Sequence, residues 1–149
     1  VITDQIINRV NENWKNGKRT HVYIDEFHVV YSNPESATFF NSAWRQFRKR
    51  NAYPTAITQN VEYLLQDEES CSIFANTQFF IMLNQAANDA DELCKLLEIY
   101  PEQMQYFKDV ESGRGLIKFG STLVPFRMLI DLESMLYIIN STKPSDLEE

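Results

Sequence analysis

The feature that most constrains the fold is a short apolar run that ends in two carboxylates, Val22-Tyr23-Ile24-Asp25-Glu26. It is entered from a basic turn, which suits a buried strand, and we predict a strand over 21–25. Ligands of open α/β sheets bind at the carboxyl ends of the strands, so the two acids stand where a functional site is expected. The alternative interpretation is a strand that simply ends in solvent-exposed acids.

Helical and strand patterns alternate along the rest of the chain. Helices are predicted over 2–15, 35–50, 60–67 and 69–76, from Asn88 as N-cap, and after Pro101. Further strands are predicted over 54–58, with Pro54 tolerable only at its start, and over 78–83, and a hairpin over 115–120 and 123–130. This alternation indicates one α/β domain over residues 1–149, with a mainly parallel sheet covered on both faces and a polar tail, 142–149, that frays.

The charge argues against one class of function. The formal charge of −7 at pH 7 is unlike the basic surface of a general nucleic-acid-binding protein. The exception is local, because Arg45, Arg48, Lys49 and Arg50 form a basic cluster at the end of a predicted helix. DNA contact is therefore left open but is not indicated by the net charge.

Metal, redox and membrane signals are weak. Cys71 and Cys94 lack the CxxC spacing of a zinc or redox site, so we expect two buried or partly buried thiols in a reducing cytoplasm. His21 and His28 have no partner at metal-ligand spacing. No apolar run approaches the roughly 18 residues of a membrane span, and the N-terminus lacks a signal pattern. We therefore expect a soluble chain that reaches a membrane only through partners.

Amide side chains follow the next two predicted strands. Gln59 ends the strand over 54–58, where it could sense a γ-phosphate or orient water beside Glu26. Asn84 ends the strand over 78–83 at the expected edge of the same sheet. Each residue has a simpler interpretation as a cap or polar strand end. The functional interpretation depends on their convergence with Asp25 and Glu26 on one crevice.

Two arginines are candidates for contacts across a subunit boundary. Arg114 lies between Gly113 and Gly115, and the glycines allow unusual backbone angles that could hold it out as an arginine finger. An exposed turn arginine is the alternative. Arg48 could serve as a finger, a phosphate or DNA contact or a partner for an acidic surface, or it could belong to a solvated helix end.

The sequence contains no GxxxxGK[ST] motif. Without the backbone amides and the lysine of that loop, a triphosphate has no cradle. We therefore expect this chain to be inactive by itself, even if the acids belong to an ATPase site.

Four stretches of the sequence, taken in order, resemble the conjugative-transfer ATPases of type IV secretion systems. They are HVYIDEFH, RKRNAYPTAITQN, FFIMLN and GRGLIKFG. These are the fourth VirB component and its TraC and TrbE relatives, especially the Gram-positive kind. The resemblance runs from about Thr20 to Pro144, and the ending PFRMLIDLESMLYIINSTKPSD is similar to the C-terminal tail of that family.

The resemblance implies part of a RecA-like P-loop ATPase core. It implies a hexameric or dimeric parent at the cytoplasmic face of the cell membrane, which energises channel assembly and DNA or protein transfer together with other channel subunits. ATP and Mg²⁺ are the implied cofactors of the parent, and none is expected bound to this chain. By position, Asp25 and Glu26 match the Walker B pair, and Asp25 would hold Mg²⁺ through water. Gln59 matches the TQ motif, and Arg48 and Arg114 match arginines that reach across a subunit boundary.

Two other functions remain open. One is a fragment of a DNA-translocating ATPase of the HerA/FtsK type, against which the acidic charge counts. The other is a non-catalytic interaction module on the same fold. The residues that precede Val1 would discriminate between the ATPases and the module, because a GxxxxGK[ST] loop there would restore the phosphate cradle.

Overall fold

In the computed structural model the described residues are 2–59, 61, 68–131 and 133–140. They form two compact units, residues 1–78 and residues 79–149. The single-domain organisation stays a prediction. Nearly all of the predicted helix over 60–67 and the whole tail 142–149 lie outside the described residues.

The first unit alternates helices with two strands. In chain order its elements are α1 Ile2–Lys15, β1 Thr20–Ile24, α2 Phe27–Tyr31, α3 Pro34–Phe47, a 3-10 turn Arg48–Arg50, β2 Ala52–Ala56 and α4 Glu68–Ala75. The helices predicted over 2–15, 35–50 and 69–76 are confirmed with small shifts of their ends. Asn33 begins α3 because its side chain accepts hydrogen bonds from the N–H groups of Glu35 and Ser36. Gly17, at φ 66°, ends α1.

Strands β1 and β2 are parallel, with Thr20 opposite Ala52 and Ile24 opposite Ala56. Strand β2 begins two residues earlier than predicted, so Pro54 lies in the middle of the strand and not at its start. The backbone of Asn51 and Ile57 bonds to β1. Backbone groups alternate in direction along a strand, so the nitrogen of Pro54, which carries no hydrogen, points away from β1.

Aromatic side chains cover one face of this parallel pair. Phe27 is completely buried, and its ring lies 5.4 Å from that of Phe40 and 5.6 Å from that of Trp44, between centroids. The predicted core face of α3 is confirmed for Phe40, Ala43, Trp44 and Phe47, whereas Phe39 is half-buried. Burying each large apolar side chain contributes about 1.5–3 kcal/mol, so this cluster is the main anchor for the turn that follows β1.

The second unit is built around an antiparallel sheet in the order β3-β4-β5. Its elements are β3 Phe79–Met82, α5 Ala87–Leu96, a 3-10 segment Pro101–Tyr106, β4 Arg114–Phe119, β5 Thr122–Arg127 and α6 Met135–Asn140. The predicted hairpin is confirmed, although β5 ends at Arg127 and not at Ile130. The N-cap of α5 is Ala86, so the prediction of Asn88 at that position was wrong by two residues.

Strand β3 differs from the prediction. We expected a third buried strand in the parallel sheet, but β3 pairs antiparallel with β4, with Phe79 opposite Phe119. Its burial alternates, since Phe79 and Ile81 are exposed and Met82 is buried. An apolar run predicts that a strand forms, but the segment it pairs with depends on the rest of the chain. The mixed α/β class is nevertheless confirmed.

Cys94 is a free, buried thiol on α5, as expected. Burial raises the pKa of this thiol, and the nearby Asp91 carboxylate raises it further. Both effects favour the neutral thiol over the reactive thiolate. Within the described ranges, no helix has both the length and the apolar character needed to cross a membrane.

Candidate active site

Asp25 and Glu26 follow the end of β1 and lie beside the segment that follows β2. The parallel pairing continues past the strand ends, because the Ile57 N–H donates to the Ile24 carbonyl at 2.8 Å and the Phe27 N–H donates to the Ile57 carbonyl at 2.9 Å. These two bonds lock the two chain segments in register just beyond the sheet. Gln59 therefore lies next to Glu26 although 33 positions separate them in sequence.

Glu26 has a left-handed backbone, with φ 48° and ψ 46°. It stands two residues after Ile24 and directly before Phe27, both of which are buried. A non-glycine residue in this conformation costs about 1–2 kcal/mol relative to the right-handed form. Such strain persists where the surrounding contacts fix it, and it is frequent at functional sites.

Both carboxylate oxygens of Glu26 have a side-chain neighbour. Oε1 accepts a hydrogen bond from Nε2 of Gln59 at 2.8 Å, and Oε2 lies 3.4 Å from Nδ1 of His28. The same Nδ1 lies 3.2 Å from Oγ1 of Thr58. We call Asp25, Glu26, His28, Thr58 and Gln59 the carboxylate cluster. The expected meeting of Glu26 with Gln59 is thus observed, and their catalytic roles stay predictions.

Asp25 occupies the exposed side of the carboxylate cluster, where its Oδ1 accepts a hydrogen bond from the Glu26 N–H at 2.9 Å. Carboxylate oxygens are the hard donors that Mg²⁺ prefers. In the described part of the chain, no group of three or more His, Cys, Asp or Glu side chains could hold a metal by itself. This donor set fits Mg²⁺, which is bound through one or two carboxylates, water and substrate phosphates and not by a complete protein cage.

Arg48 lies away from the carboxylate cluster. It begins the 3-10 turn before β2, at the amino end of the strand, whereas Gln59 follows the carboxyl end. The five residues of β2 separate the two ends by roughly 15 Å at about 3.3 Å per residue. The Arg48 side chain is exposed. The structure therefore does not bring Arg48 to Glu26 within the first unit, and its role across a subunit boundary stays a prediction.

In the second unit, Asn84 and Arg114 have local partners. Oδ1 of Asn84 accepts a hydrogen bond from the Val110 N–H at 2.8 Å, so this side chain ties the end of β3 to the segment before β4. The guanidinium of Arg114 pairs with the Glu111 carboxylate at 3.0 Å. These contacts favour the structural interpretation of Asn84, and a nucleotide contact by either residue stays a prediction.

The glycines around Arg114 have structural causes. Gly113 has φ 83°, and a Cβ there would come within 2.9 Å of the Met128 carbonyl oxygen. Gly115 is buried, and a Cβ there would clash with the Met82 backbone and the Phe126 ring. Close packing of the hairpin thus accounts for both glycines without a requirement to present Arg114.

The sequence pattern does not place two members of the carboxylate cluster, His28 and Thr58, at the site. His28 has no partner at metal-ligand spacing, and Thr58 is the last residue of a predicted strand and the first of the TQ motif. The usable signal was their position, because each is adjacent or nearly adjacent to a candidate residue just beyond a parallel strand.

The fold is shared with two proteins of known structure. The chain is similar to the structure of VirB4 of Thermoanaerobacter pseudethanolicus, with a TM-score of 0.73 and 18% identity over 87% of this chain. It is also similar to the cytoplasmic domain of the type VII secretion ATPase EccC of Thermomonospora curvata, with a TM-score of 0.56 and 19% identity over 80% of this chain. No protein-family model matches the sequence, and no curated protein matches it.

The chain spans 36% of the VirB4 chain and 14% of the EccC chain. At these identities the likeness establishes a common fold. It agrees at that level with the resemblance drawn from the sequence motifs, and it confirms the α/β fold class.

Proposed function

We propose that this chain forms the Walker B half of the ATP-hydrolysing site of a secretion ATPase, in a longer protein that also carries a phosphate-binding loop. The observation that carries the proposal is the 2.8 Å hydrogen bond between Gln59 and Glu26 at the carboxyl ends of two parallel strands. Ligand sites of open α/β sheets lie at this position. The fold shared with the VirB4 structure supports it.

The residues of the carboxylate cluster would have different roles in hydrolysis. Glu26, held at Oε1 by Gln59, would accept a hydrogen bond from the attacking water on a remaining lone pair and orient it. Asp25 would hold Mg²⁺ through its water shell, and bound Mg²⁺ would neutralise charge on the phosphates of ATP. Gln59 would hold Oε1 of the Glu26 carboxylate and contact the nucleotide from the segment that follows β2.

The remaining assignments concern assembly. Arg48 and Arg114 would act across subunit boundaries in a homo-oligomer, which is consistent with the exposure of both side chains. Asn84 would lie at the edge of the nucleotide site. The parent would work with other subunits of a secretion channel at the cytoplasmic face of the membrane, and the resemblance of the sequence motifs to type IV secretion ATPases supports this assignment.

The test compares two glutamates in a longer protein that contains this chain and a GxxxxGK[ST] loop. We expect Glu26→Gln to lower kcat for ATP hydrolysis by at least ~100-fold, which is within the usual contribution of a general base. Glu98→Gln is the matched control, because Glu98 also has a left-handed backbone, with φ 53°, and is exposed. Hydrolysis that continues at the parental rate in Glu26→Gln would refute the assignment of Glu26.

A further inference from the structure

The second oxygen of the Glu26 carboxylate has a neighbour that the proposed mechanism does not use. Nδ1 of His28 lies 3.4 Å from Oε2, while Gln59 bonds to Oε1. We propose that His28 is a positioning residue that donates its Nδ1 hydrogen toward Oε2 of Glu26, so that the carboxylate is held at both oxygens. The inference rests on the proposed role of Glu26 and extends it to a residue outside the Walker B and glutamine motifs.

His28 can position a neighbour because its own helix is fixed. Phe27 and Tyr31, one turn apart on α2, are buried, with ring centroids 5.4 Å from each other. The Tyr31 hydroxyl also donates a hydrogen bond to Oδ1 of the buried Asn41 at 3.0 Å. The His28 side chain is only 23% exposed, so most of its surface is in contact with the protein. The imidazole is therefore attached to the aromatic core and not to a free loop.

The environment of Nδ1 determines which ring nitrogen carries the hydrogen. Without a hydrogen, Nδ1 would direct a lone pair at the Glu26 carboxylate, which is electrostatically unfavourable. With a hydrogen it faces two oxygens, Oε2 of Glu26 and Oγ1 of Thr58, the latter at 3.2 Å. The Thr58 hydroxyl can either accept or donate, whereas the ionised carboxylate can only accept. The carboxylate therefore favours the form protonated at Nδ1, since the tautomer of a histidine is set by the partners of its nitrogens.

The orientation of the Glu26 carboxylate matters for the proposed chemistry. A single hydrogen bond from Gln59 leaves the group able to rotate about its last side-chain bond, because terminal sp³–sp² torsions have broad energy wells. A second donor on the other oxygen restricts that rotation. Misplacement of a reacting group by about 1 Å can lower a rate by roughly 100-fold, so restricting the rotation has a measurable consequence.

The first test is made on this chain by nuclear magnetic resonance and needs no nucleotide. Long-range ¹H–¹⁵N correlation, recorded with the rings neutral, identifies the protonated nitrogen of each histidine. We expect His28 in the Nδ1–H form, and we expect it to change to the Nε2–H form in Glu26→Ala but not in Glu98→Ala. His21, stacked on Tyr53 with ring centroids 5.4 Å apart, is an internal reference in the same spectra.

The second test separates position from chemistry in the longer, ATP-hydrolysing protein. An asparagine at position 28 can place its side-chain nitrogen near the site of Nδ1, whereas a glutamine nitrogen reaches the site of Nε2. We expect His28→Asn to keep kcat within ~3-fold, and His28→Gln and His28→Ala to lower it by ~10-fold or more. The KM for ATP should change by less than ~2-fold in all three variants, because a positioning residue acts on the reacting group and not on nucleotide binding.

The outcomes distinguish this inference from the proposed function. If Glu26→Gln abolishes hydrolysis while His28→Gln retains the full rate, the inference about His28 is wrong and the proposed function stands. If Glu26→Gln hydrolyses ATP normally, the proposed function fails, and the tautomer still decides whether His28 holds Glu26. His28 in the Nε2–H form in the unmodified chain, or a tautomer that does not change in Glu26→Ala, would overturn the inference directly.

Discussion

Glu26 and Glu98 are two glutamates with nearly the same unusual backbone and very different surroundings. Their φ angles are 48° and 53°. Glu98 follows α5, where the Leu97 N–H bonds to the Leu93 carbonyl and the Ile99 N–H bonds to the Cys94 carbonyl, both at 2.9 Å. A left-handed residue is a common way to end a helix, so these backbone bonds account for Glu98.

Glu26 follows β1 and is the N-cap residue of α2, so the C-terminal helix end that accounts for Glu98 does not explain its conformation. Its side chain is bonded to Gln59, which lies 33 positions later in the sequence, and is close to His28. The comparison shows that a left-handed glutamate alone does not mark a functional site. The site proposed at Glu26 rests instead on its side-chain partners, because polar groups that converge from the ends of two strands are typical of functional sites.

The largest expected effect concerns the buried residue that follows Glu26. Phe27→Ala should lower the free energy of unfolding by about 3–5 kcal/mol, because it opens a cavity among the rings of the core. Urea unfolding followed by tryptophan fluorescence measures this loss, since the buried Trp44 ring contacts Phe27. We also expect the side-chain amide signals of Gln59 to shift, as Glu26 loses its anchor.

Phe47→Ala is the matched control for this experiment. Phe47 is also buried in the first unit, but it packs in a separate cluster with Val10, Ala43 and Ala52. We expect a similar loss of stability without the same shift of the Gln59 amide signals. A loss below about 1 kcal/mol in Phe27→Ala would contradict the view that the core fixes the carboxylate cluster.

A smaller effect tests the left-handed backbone conformation that Glu26 and Glu98 have in common. At both positions glycine should give a more stable protein than alanine, by about 1 kcal/mol, because only glycine adopts positive φ without a steric penalty. Thermal or urea unfolding of Glu26→Gly against Glu26→Ala, and of Glu98→Gly against Glu98→Ala, measures the difference. The order should reverse at Asn8, an exposed position within α1 where alanine is favoured. If the Glu26→Ala protein were more stable than the Glu26→Gly protein, the left-handed backbone conformation at position 26 would be disproved.

The sequence predicted the first unit better than the second. Helices α1 and α3 and strand β1 followed from apolar spacing, and the meeting of Glu26 with Gln59 followed from one rule about the ends of parallel strands. That rule does not apply to Asn84, because β3 belongs to the antiparallel sheet, so the role of Asn84 at the site stays a prediction. Spacing along a chain indicates which segments become strands, but the choice of neighbour depends on contacts between distant segments.

Two other structural features could not be read from the sequence pattern. Glycines flanking Arg114 suggested a presented arginine, whereas they are required by the close approach of Met128 and Met82. The part of His28 in the carboxylate cluster depends on a ring nitrogen that faces back toward Glu26. That direction is set by the short helix α2 and its buried residues, so it becomes visible only in three dimensions.

The smallest expected effects are the coupling energies between pairs of side chains. They test the feature that distinguishes Glu26 from Glu98, namely its contacts with other side chains. A double-mutant cycle with Glu26→Ala and Gln59→Ala should give about 0.5–1 kcal/mol, the value of a partly exposed hydrogen bond. The matched pair is Arg114 with Glu111, three residues apart, with side chains 45% and 73% exposed. Its coupling should stay below about 0.5 kcal/mol, since solvent screens an exposed ion pair.

Raising the salt concentration should weaken the Arg114 pair further and change the Glu26–Gln59 coupling less, because Gln59 carries no charge. Equal couplings at the two pairs would mean that the long-range contact is no more specific than a local surface pair, and the structural reason for placing the site at Glu26 would be lost.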